Sequence, residues 1–215
     1  MVPSGVTLAD VRVTMQRPLP GLRGQARMAP TDRLDPELYA RGSRDCRRAA
    51  VLLLLYPWRD DLYAVLIVRP RHLPDHPGQV ALPGGMKDEE ETVEQTALRE
   101  AEEEVGIDPG SVELLGRLTH LYIPPSHFCL QVVVGYTPVR PRWRTSPQEV
   151  SELLEVPIAH FLDHANWSEE IWIVDGITRQ VPFFRIGEHR VWGATAIVLA
   201  EFVTALEEVV AIGAG

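Results

Sequence analysis

The sequence predicts an α/β fold, a three-layered α/β/α sandwich in which a mixed β-sheet is flanked by helices. Two short apolar runs, Ala49–Tyr56 and Leu62–Arg69, are typical of strands buried on both faces of a sheet. Two further segments, Val93–Val105 and Gly193–Ile212, carry apolar residues at helical spacing. Because such a helix must bury its apolar stripe, we expect helices on both faces of the sheet.

The chain is long enough, at 215 residues, for one domain with a large core. Residues 1–45 are predicted to be an N-terminal extension that packs on the domain or is partly disordered. Its amphipathic piece, Leu8–Met15, is followed by a stretch that prolines and glycines interrupt. Asp35–Ala40 is a candidate for a short helix within the extension. Residues 46–215 are predicted to form the domain itself.

The first strands lead directly to a glycine loop. The polar segment Trp58–Asp61 favours a hairpin between the two apolar runs. A brief strand at Gln79–Leu82 then delivers Gly84 and Gly85 to the acidic stretch that precedes the helix at Val93–Val105. Sheet, loop and helix are therefore expected to meet at one edge.

The second half of the chain is predicted to contain two strands, two short helices, a hairpin and a closing helix. In order, these elements are Val112–Ile123, Phe128–Thr137, Gln148–Leu154, Ile158–Leu162, the pair Ile171–Val174 and Val181–Ile186, and Gly193–Ile212.

Composition and charge exclude several classes of protein. The formal net charge of −9 argues against broad binding of nucleic acid. The longest apolar run, Ala49–Tyr56, is too short to cross a bilayer, and Met1–Pro30 lacks the apolar region of a signal peptide. Cys46 and Cys129 are distant in sequence and form no CxxC pair, so we predict two unpaired thiols. These features predict a cytoplasmic protein that acts neither on nucleic acid nor at a membrane.

The helix at Val93–Val105 carries its own start and stop signals. Thr92 and Gln95 have the spacing of a capping box, and Gly106 supplies a left-handed stop. One face of the helix is apolar and should be buried. That face consists of Leu98, Ala101 and Val105.

A different face of this helix gathers three carboxylates. Glu100, Glu103 and Glu104 lie at positions i, i+3 and i+4, so they share one turn. Like charges at this spacing destabilise an isolated helix by roughly 0.2–0.5 kcal/mol per pair, a cost that a bound cation would remove. Carboxylates without a nearby His or Cys suit Mg²⁺ or Mn²⁺, and substrate phosphates typically complete the shell of Mg²⁺. The residues therefore predict a divalent-metal site for a phosphate-containing ligand.

The residues around these carboxylates resemble a family motif. The Nudix box is G-x5-E-x7-R-E-U-x-E-E-x-G-U, where U is an apolar residue, and this sequence matches it at every position. The matching residues are Gly85, Glu91, Arg99, Glu100, Ala101, Glu103, Glu104, Gly106 and Ile107. The chain thus resembles the Nudix hydrolases, whose fold is also an α/β/α sandwich.

The resemblance implies a reaction and a metal site. In that family, water attacks a diphosphate that joins a nucleoside to another group. Glu100, Glu103 and Glu104 match the glutamates that hold the catalytic Mg²⁺ or Mn²⁺ ions. Homodimers are common in the family, and the sequence leaves a homodimer open.

The resemblance also implies supporting and substrate-binding residues. Glu91 and Arg99 match a pair that ties the loop to the helix, so they are expected to support the site rather than perform chemistry. Gly84 and Gly85 match the loop whose backbone lies close to metal and phosphate, which requires residues without a Cβ.

Two glutamates are assigned catalytic roles. Nudix enzymes often take the base that activates water from a glutamate outside the box, or else from the box itself. Glu149 is our candidate outside the box, with Glu152 and Glu155 as competitors, and Glu103 is the catalytic candidate within it.

The segment before the box is similar to a second motif, found in the coenzyme A diphosphatase branch of the family. Its matching residues are Leu66, Arg69, Gly78, Pro83, Gly84 and Gly85. Pro74 replaces the second arginine of that motif, and Arg71 is the candidate to supply the missing charge. Arg69 and Arg71 are therefore predicted to bind substrate phosphate, as guanidinium groups do.

This branch implies a substrate and its products. Coenzyme A or an acyl-coenzyme A would be cleaved to 3′,5′-ADP and 4′-phosphopantetheine or its acyl derivative. Two alternatives stay open. One is another nucleoside diphosphate derivative, such as ADP-ribose or a dinucleotide, and the other is a non-catalytic module that senses a nucleotide.

Overall fold

The computed structural model describes residues 5–30, 46–124, 126–174 and 176–213, which form two sheets with helices packed around them. The helices are α1 (Leu8–Gln16), α2 (Leu22–Gln25), α3 (Val93–Val105), α4 (Ile158–Leu162) and α5 (Gly193–Gly213), with 3-10 turns at Ala26–Met28, Pro109–Ser111 and His164–Asn166. The strands are β1 (Arg47–Trp58), β2 (Asp61–Val68), β3 (Val80–Ala81), β4 (Gly84–Met86), β5 (Glu113–Arg117), β6 (Leu121–Ile123), β7 (Phe128–Tyr136), β8 (Glu152–Pro157), β9 (Trp167–Val174), β10 (Ile177–Ile186) and β11 (His189–Trp192). The short helix predicted at Asp35–Ala40 lies outside the described residues.

The larger sheet is mixed and is built around β1. Among the described residues it contains eight strands, and β1 runs parallel to β7 but antiparallel to β2 and β4. Leu52–Leu55 in β1 are completely buried, because both faces of this strand are covered. β4 pairs with β1 so that Gly85 lies opposite Ala50 and Gly84 opposite Val51. The predicted glycine loop is thereby attached to the sheet itself.

Helices cover both faces of this sheet, which confirms the predicted layers. On one face, α3 buries Ala101 and Val105 against the sheet, whereas Leu98 is only partly buried. On the other face, α5 packs through residues such as Phe202. No helix within the described ranges, α5 included, has the length and apolarity needed to cross a membrane.

The described part of the N-terminal segment packs on α5. Gln25 is buried and donates its side-chain amide to Glu201 at 2.9 Å, and Glu201 also accepts the backbone N–H of Thr119 at 3.1 Å. Gly24 permits the close approach, since a Cβ at this position would lie 2.9 Å from the Cα of Glu201. The segment therefore docks through a buried polar contact as well as through apolar residues.

Two predictions in the second half of the chain need correction. The helix predicted at Gln148–Leu154 is instead a turn followed by β8. Leu154 and Val156 are buried at alternate positions of β8, as in a strand with one face in the core. β8 pairs antiparallel with β2, and the hydrogen bonds of this pairing outweigh the local helix propensity of the segment. The single strand predicted at Val112–Ile123 is interrupted and forms β5 and β6.

The predicted hairpin of Ile171–Val174 with Val181–Ile186 is confirmed but is longer, as β9 and β10. β11 pairs with the end of β10 and completes a separate three-stranded antiparallel sheet. β11 was not predicted from the sequence, because four residues are too few to show a strand period.

Cys46 and Cys129 form a disulfide, so the prediction of two unpaired thiols is wrong. The cysteines are 83 residues apart in sequence, but the parallel pairing of β1 with β7 places Arg48 opposite Cys129 and brings the two cysteine Cα atoms to 5.6 Å. Because this pairing is non-local, the sequence separation carried no information about it. Disulfides are typical of oxidising compartments, so these residues no longer support a cytoplasmic location.

Candidate active site

Helix α3 begins and ends at its predicted capping residues. The Thr92 hydroxyl accepts the backbone N–H of Gln95 at 3.2 Å, and the Gln95 side chain accepts the N–H of Thr92 at 2.7 Å. Gly106 adopts φ +73°, and a Cβ there would lie 2.7 Å from the Cβ of Arg144. The helix therefore stops where a neighbouring segment crosses its end.

Glu104 is the most enclosed of the three predicted metal ligands. It is only 4% exposed, and its carboxylate accepts the backbone N–H of Gly84 at 2.9 Å. Burial raises the pKa of Glu104 to about 8, helped by the negative charges of Glu100 and Glu149 and opposed by the Gly84 N–H and the charge of Arg69. The fold therefore gathers these predicted site residues around one buried carboxylate.

Glu100 lies against the glycine loop, whereas Glu103 is more open. Burial raises the pKa of Glu100, although the hydrogen bond from Arg99 at 2.9 Å opposes this rise. A Cβ on Gly85 would lie 2.5 Å from the carboxyl carbon of Glu100, so only glycine leaves room for this side chain. The Glu103 side chain is 51% exposed and lies 3.4 Å from Arg99.

The predicted pair of Glu91 and Arg99 is present. The guanidinium donates to both carboxylate oxygens of Glu91, at 2.7 and 3.2 Å, and Thr96 donates its hydroxyl to the same carboxylate at 2.7 Å. The hydrogen bonds from Arg99 and Thr96 lower the pKa of Glu91 to about 2. Arg99 also donates to the carbonyl of Met86 at 3.3 Å, which connects helix α3 to β4.

The carboxylates suit a hard divalent cation in chemistry, although the side chains would have to turn to bind one. No group of three acidic, histidine or cysteine side chains in the described part of the chain is arranged to hold an ion as it stands. Glu100 is instead paired with Arg99, and Glu104 accepts from Gly84. A positive charge would stabilise the buried carboxylates of Glu104 and Glu100, whose pKa values burial raises. The residues therefore fit Mg²⁺ or Mn²⁺.

Glu149 is exposed and lies in a turn next to this site. The turn is fixed by the N–H of Ser146, which donates to the carbonyl of Glu104 at 3.0 Å, and by Ser151, which donates to the carbonyl of Val68. The negative charge of Glu149 contributes to the raised pKa of both Glu100 and Glu104. Ser146 and Ser151 were not predicted to belong to the site, because isolated serines carry no motif signal.

The two competing candidates for the base have other partners. Glu155 accepts hydrogen bonds from Tyr56 at 2.8 Å, Trp143 at 2.9 Å and Arg140 at 2.8 and 2.6 Å. These donors engage its carboxylate in a structural network. Glu152 is paired with His189 at 3.2 Å. Of the three candidates, Glu149 is the one whose charge contributes most to the raised pKa of Glu104.

Arg69 and Arg71 open the loop before the glycines. The backbone of Arg69 exchanges hydrogen bonds across this loop, donating to Gln79 at 2.9 Å and accepting from Gly78 at 3.0 Å. The Arg69 guanidinium donates to the Asp75 carbonyl at 3.4 Å, and its positive charge is one of the smaller influences that lower the pKa of Glu104. Arg71 is exposed and packs beside Gly78, where a Cβ would lie 3.6 Å from its Cγ. Arg69 and Arg71 therefore stay predicted substrate-binding residues at the start of the loop.

In a comparison with known protein families, residues 47–173 match the model of the NUDIX domain. A relative from Photorhabdus laumondii, called an uncharacterized Nudix hydrolase NudL, is 33% identical over 156 residues, or 72% of this chain and 83% of the relative. A relative of the same name from Salmonella paratyphi B is 37% identical over 160 residues, covering 72% of this chain and 80% of the relative.

Solved structures share the fold at lower identity. A Nudix hydrolase from M. smegmatis, RenU, superposes with a TM-score of 0.52 and 20% identity, over 77% of this chain and 86% of that one. A Nudix hydrolase from Alicyclobacillus acidocaldarius gives a TM-score of 0.53 and 17% identity, over 78% and 96% of the two chains. At these identities the structures support the fold alone.

Proposed function

This chain belongs to the Nudix family of hydrolases, and on that premise we propose that it cleaves the diphosphate of coenzyme A or an acyl-coenzyme A. The products would be 3′,5′-ADP and 4′-phosphopantetheine or its acyl derivative. The observation that carries the reaction class is the burial of Glu104 beside Glu100. Burial disfavours the ionised form of both carboxylates, and a bound metal ion would stabilise that form. The choice of coenzyme A is supported by the second motif around Arg69.

In this proposal, Glu100, Glu103 and Glu104 hold Mg²⁺ or Mn²⁺. When bound, the metal neutralises charge on the diphosphate and makes bound water more acidic. Arg99 must then release Glu100 and Glu103. It can do so without becoming an unpaired charge, because two of its nitrogens stay bonded to Glu91. Glu91 therefore supports the site by holding the Arg99 guanidinium in place when Glu100 and Glu103 bind the metal.

The remaining predicted residues bind and orient the substrate. Arg69 closes the loop before the glycines through its backbone, its guanidinium is proposed to donate to phosphate oxygens, and Arg71 follows on the exposed loop. Gly84 and Gly85 are proposed to bring the backbone of the loop close to the diphosphate, while the space of their missing Cβ atoms is taken by Ala50 and by the Glu100 side chain. Glu149 accepts the proton of the attacking water from its exposed position beside Glu104.

The proposed role of Glu149 predicts a loss of rate. A general base typically contributes about 10²–10⁴-fold to the rate. We therefore expect Glu149→Gln to lower kcat by about 100-fold or more, with little change in the Mg²⁺ concentration that gives half-maximal activity. Glu152→Gln is the matched control, because it removes an equally exposed carboxylate that is paired with His189. An unchanged kcat in Glu149→Gln would discard Glu149 as the base.

The substrate is tested with a panel of coenzyme A, acyl-coenzyme A, ADP-ribose, NADH and nucleoside triphosphates, each with Mg²⁺ or Mn²⁺ and with a chelator. We expect metal-dependent release of 3′,5′-ADP from coenzyme A or its acyl derivative, and no product once the metal is removed. Turnover of ADP-ribose or NADH alone would assign the chain to another Nudix diphosphatase. A ligand that raises Tm without any product would identify a nucleotide-sensing module.

The limits of the catalytic unit are part of the proposal. We assign residues 46–215 to the catalytic domain and residues 1–45 to an extension, of which residues 5–30 include two helices that pack on α5. A cytoplasmic location and a homodimer stay predictions.

A further inference from the structure

The turn that carries Glu149 is attached to the rest of the molecule at three points. At its start, the N–H of Ser146 donates to the carbonyl of Glu104 at 3.0 Å, and the Ser146 carbonyl then accepts from Glu149 at 3.0 Å and from Val150 at 2.8 Å. In its middle, Val150 is 4% exposed and packs into the core beneath α3. At its end, Ser151 is bonded to β2. The exposed carboxylate of Glu149 therefore lies on a turn that hydrogen bonds and core packing hold in place.

The third attachment is unusual because one residue donates twice to one acceptor. Both the backbone N–H and the hydroxyl of Ser151 donate to the carbonyl of Val68, each at 2.9 Å. This carbonyl belongs to the peptide group that joins Val68 to Arg69. The Ser151 hydroxyl therefore connects the turn that carries Glu149 to the strand end that carries Arg69.

The hydroxyl is not needed to satisfy the backbone. Without it, the N–H of Ser151 still donates to Val68, and β8 still begins at Glu152 opposite Val68. What is lost is the second of two bonds that fix the angle between the turn and the end of β2. Misplacement of a reacting group by about 1 Å can cost about 100-fold in rate. A small displacement of the turn is therefore enough to affect catalysis without unfolding the protein.

We propose that Ser151 is a positioning residue, whose hydroxyl sets the place of the Glu149 carboxylate relative to Arg69 and Glu104. The inference rests on the proposed role of Glu149 as the base. It assigns a role to a residue outside the family motif, and it predicts that Ser151 acts only through Glu149.

The first test compares three single variants on whichever diphosphate the substrate panel identifies. We expect Ser151→Ala to lower kcat by about 10- to 100-fold, with KM and the Mg²⁺ requirement nearly unchanged. Ser151→Thr keeps a hydroxyl at an exposed position and should restore most of the rate. Ser111→Ala is the matched control, since its hydroxyl also donates to a backbone carbonyl, that of Asp108 at 2.7 Å, but outside the site.

The second test separates positioning from a general structural role. In a Glu149→Gln background, Ser151→Ala should cause no further loss of kcat, because the carboxylate that Ser151 positions is already absent. An equal loss in both backgrounds, or a wild-type rate in Ser151→Ala, would overturn the inference while leaving the base assignment intact. A wild-type rate in Glu149→Gln would instead overturn the base assignment, and the inference with it. A lack of turnover on every substrate would reject the proposed function itself.

Discussion

Replacing Glu104 by glutamine is expected to lower kcat by more than about 100-fold, since loss of an outer-shell partner of a metal site already costs about 10- to 100-fold. The glutamine amide oxygen can still accept the N–H of Gly84, which Glu104 accepts at 2.9 Å. The fold should therefore persist while the anionic ligand is lost. The measurement is kcat at saturating Mg²⁺, together with the Mg²⁺ dependence of the rate.

Glu102→Gln is the control for this experiment. Glu102 lies on the same helix, is exposed and loses the same charge on substitution, but it does not belong to the carboxylate group around Gly84. We expect Glu100→Gln to behave like Glu104→Gln and Glu102→Gln to behave like wild type. Wild-type turnover in both Glu104→Gln and Glu100→Gln at saturating Mg²⁺ would remove these residues from the metal site.

Replacing Gly85 by alanine is expected to abolish most activity while leaving the protein folded. The new Cβ would lie 2.5 Å from the carboxyl carbon of Glu100, so it would displace this side chain from the loop. A side chain can rotate away at small cost, so the change in Tm should be small. We expect kcat to fall as far as in Glu100→Gln, because the same ligand is misplaced, and the Mg²⁺ requirement to rise.

Gly84→Ala is the matched substitution one residue earlier, and it should act differently. Its Cβ would lie 2.3 Å from the carbonyl oxygen of Ala50 and 2.5 Å from the Cα of Val51, and Gly84 has φ +154°. Backbone atoms of the central strand cannot rotate away. Overpacking typically costs about 1–3 kcal/mol of stability, and we expect the loss in Gly84→Ala to reach or exceed the upper end of this range. Denaturation of both variants measures this difference. A folded Gly85→Ala enzyme with full activity would show that Glu100 does not need this space.

Helix α3 shows which features can be predicted from sequence. Its capping box, its glycine stop and the spacing of its carboxylates all depend on residues within a few positions of one another. The same is true of the hairpin between β1 and β2, where a short polar turn separates two apolar runs. Such local signals survive folding because tertiary contacts agree with them.

The predictions that were wrong concern features that depend on residues distant in sequence. Gln148–Leu154 has a helical composition, but β2 offers an open edge on which Leu154 and neighbouring residues form β8. Cys46 and Cys129 are joined because two strands distant in sequence pair side by side. In each case the deciding partner lies far away along the chain, so no local pattern could reveal it.

The amino-acid sequence by itself determined the family, the helix that presents Glu100, Glu103 and Glu104, and the glycine loop that faces them. Only the tertiary structure showed the different surroundings of Glu149, Glu152 and Glu155, which lie within seven residues of one another in sequence. Glu155 accepts a hydrogen bond from Tyr56, and Glu152 is paired with His189. The charge of Glu149 instead contributes to the raised pKa of Glu104. The physical reason is that a carboxylate's role depends on the charges and hydrogen-bond donors around it, and pairing between distant strands decides which groups those are.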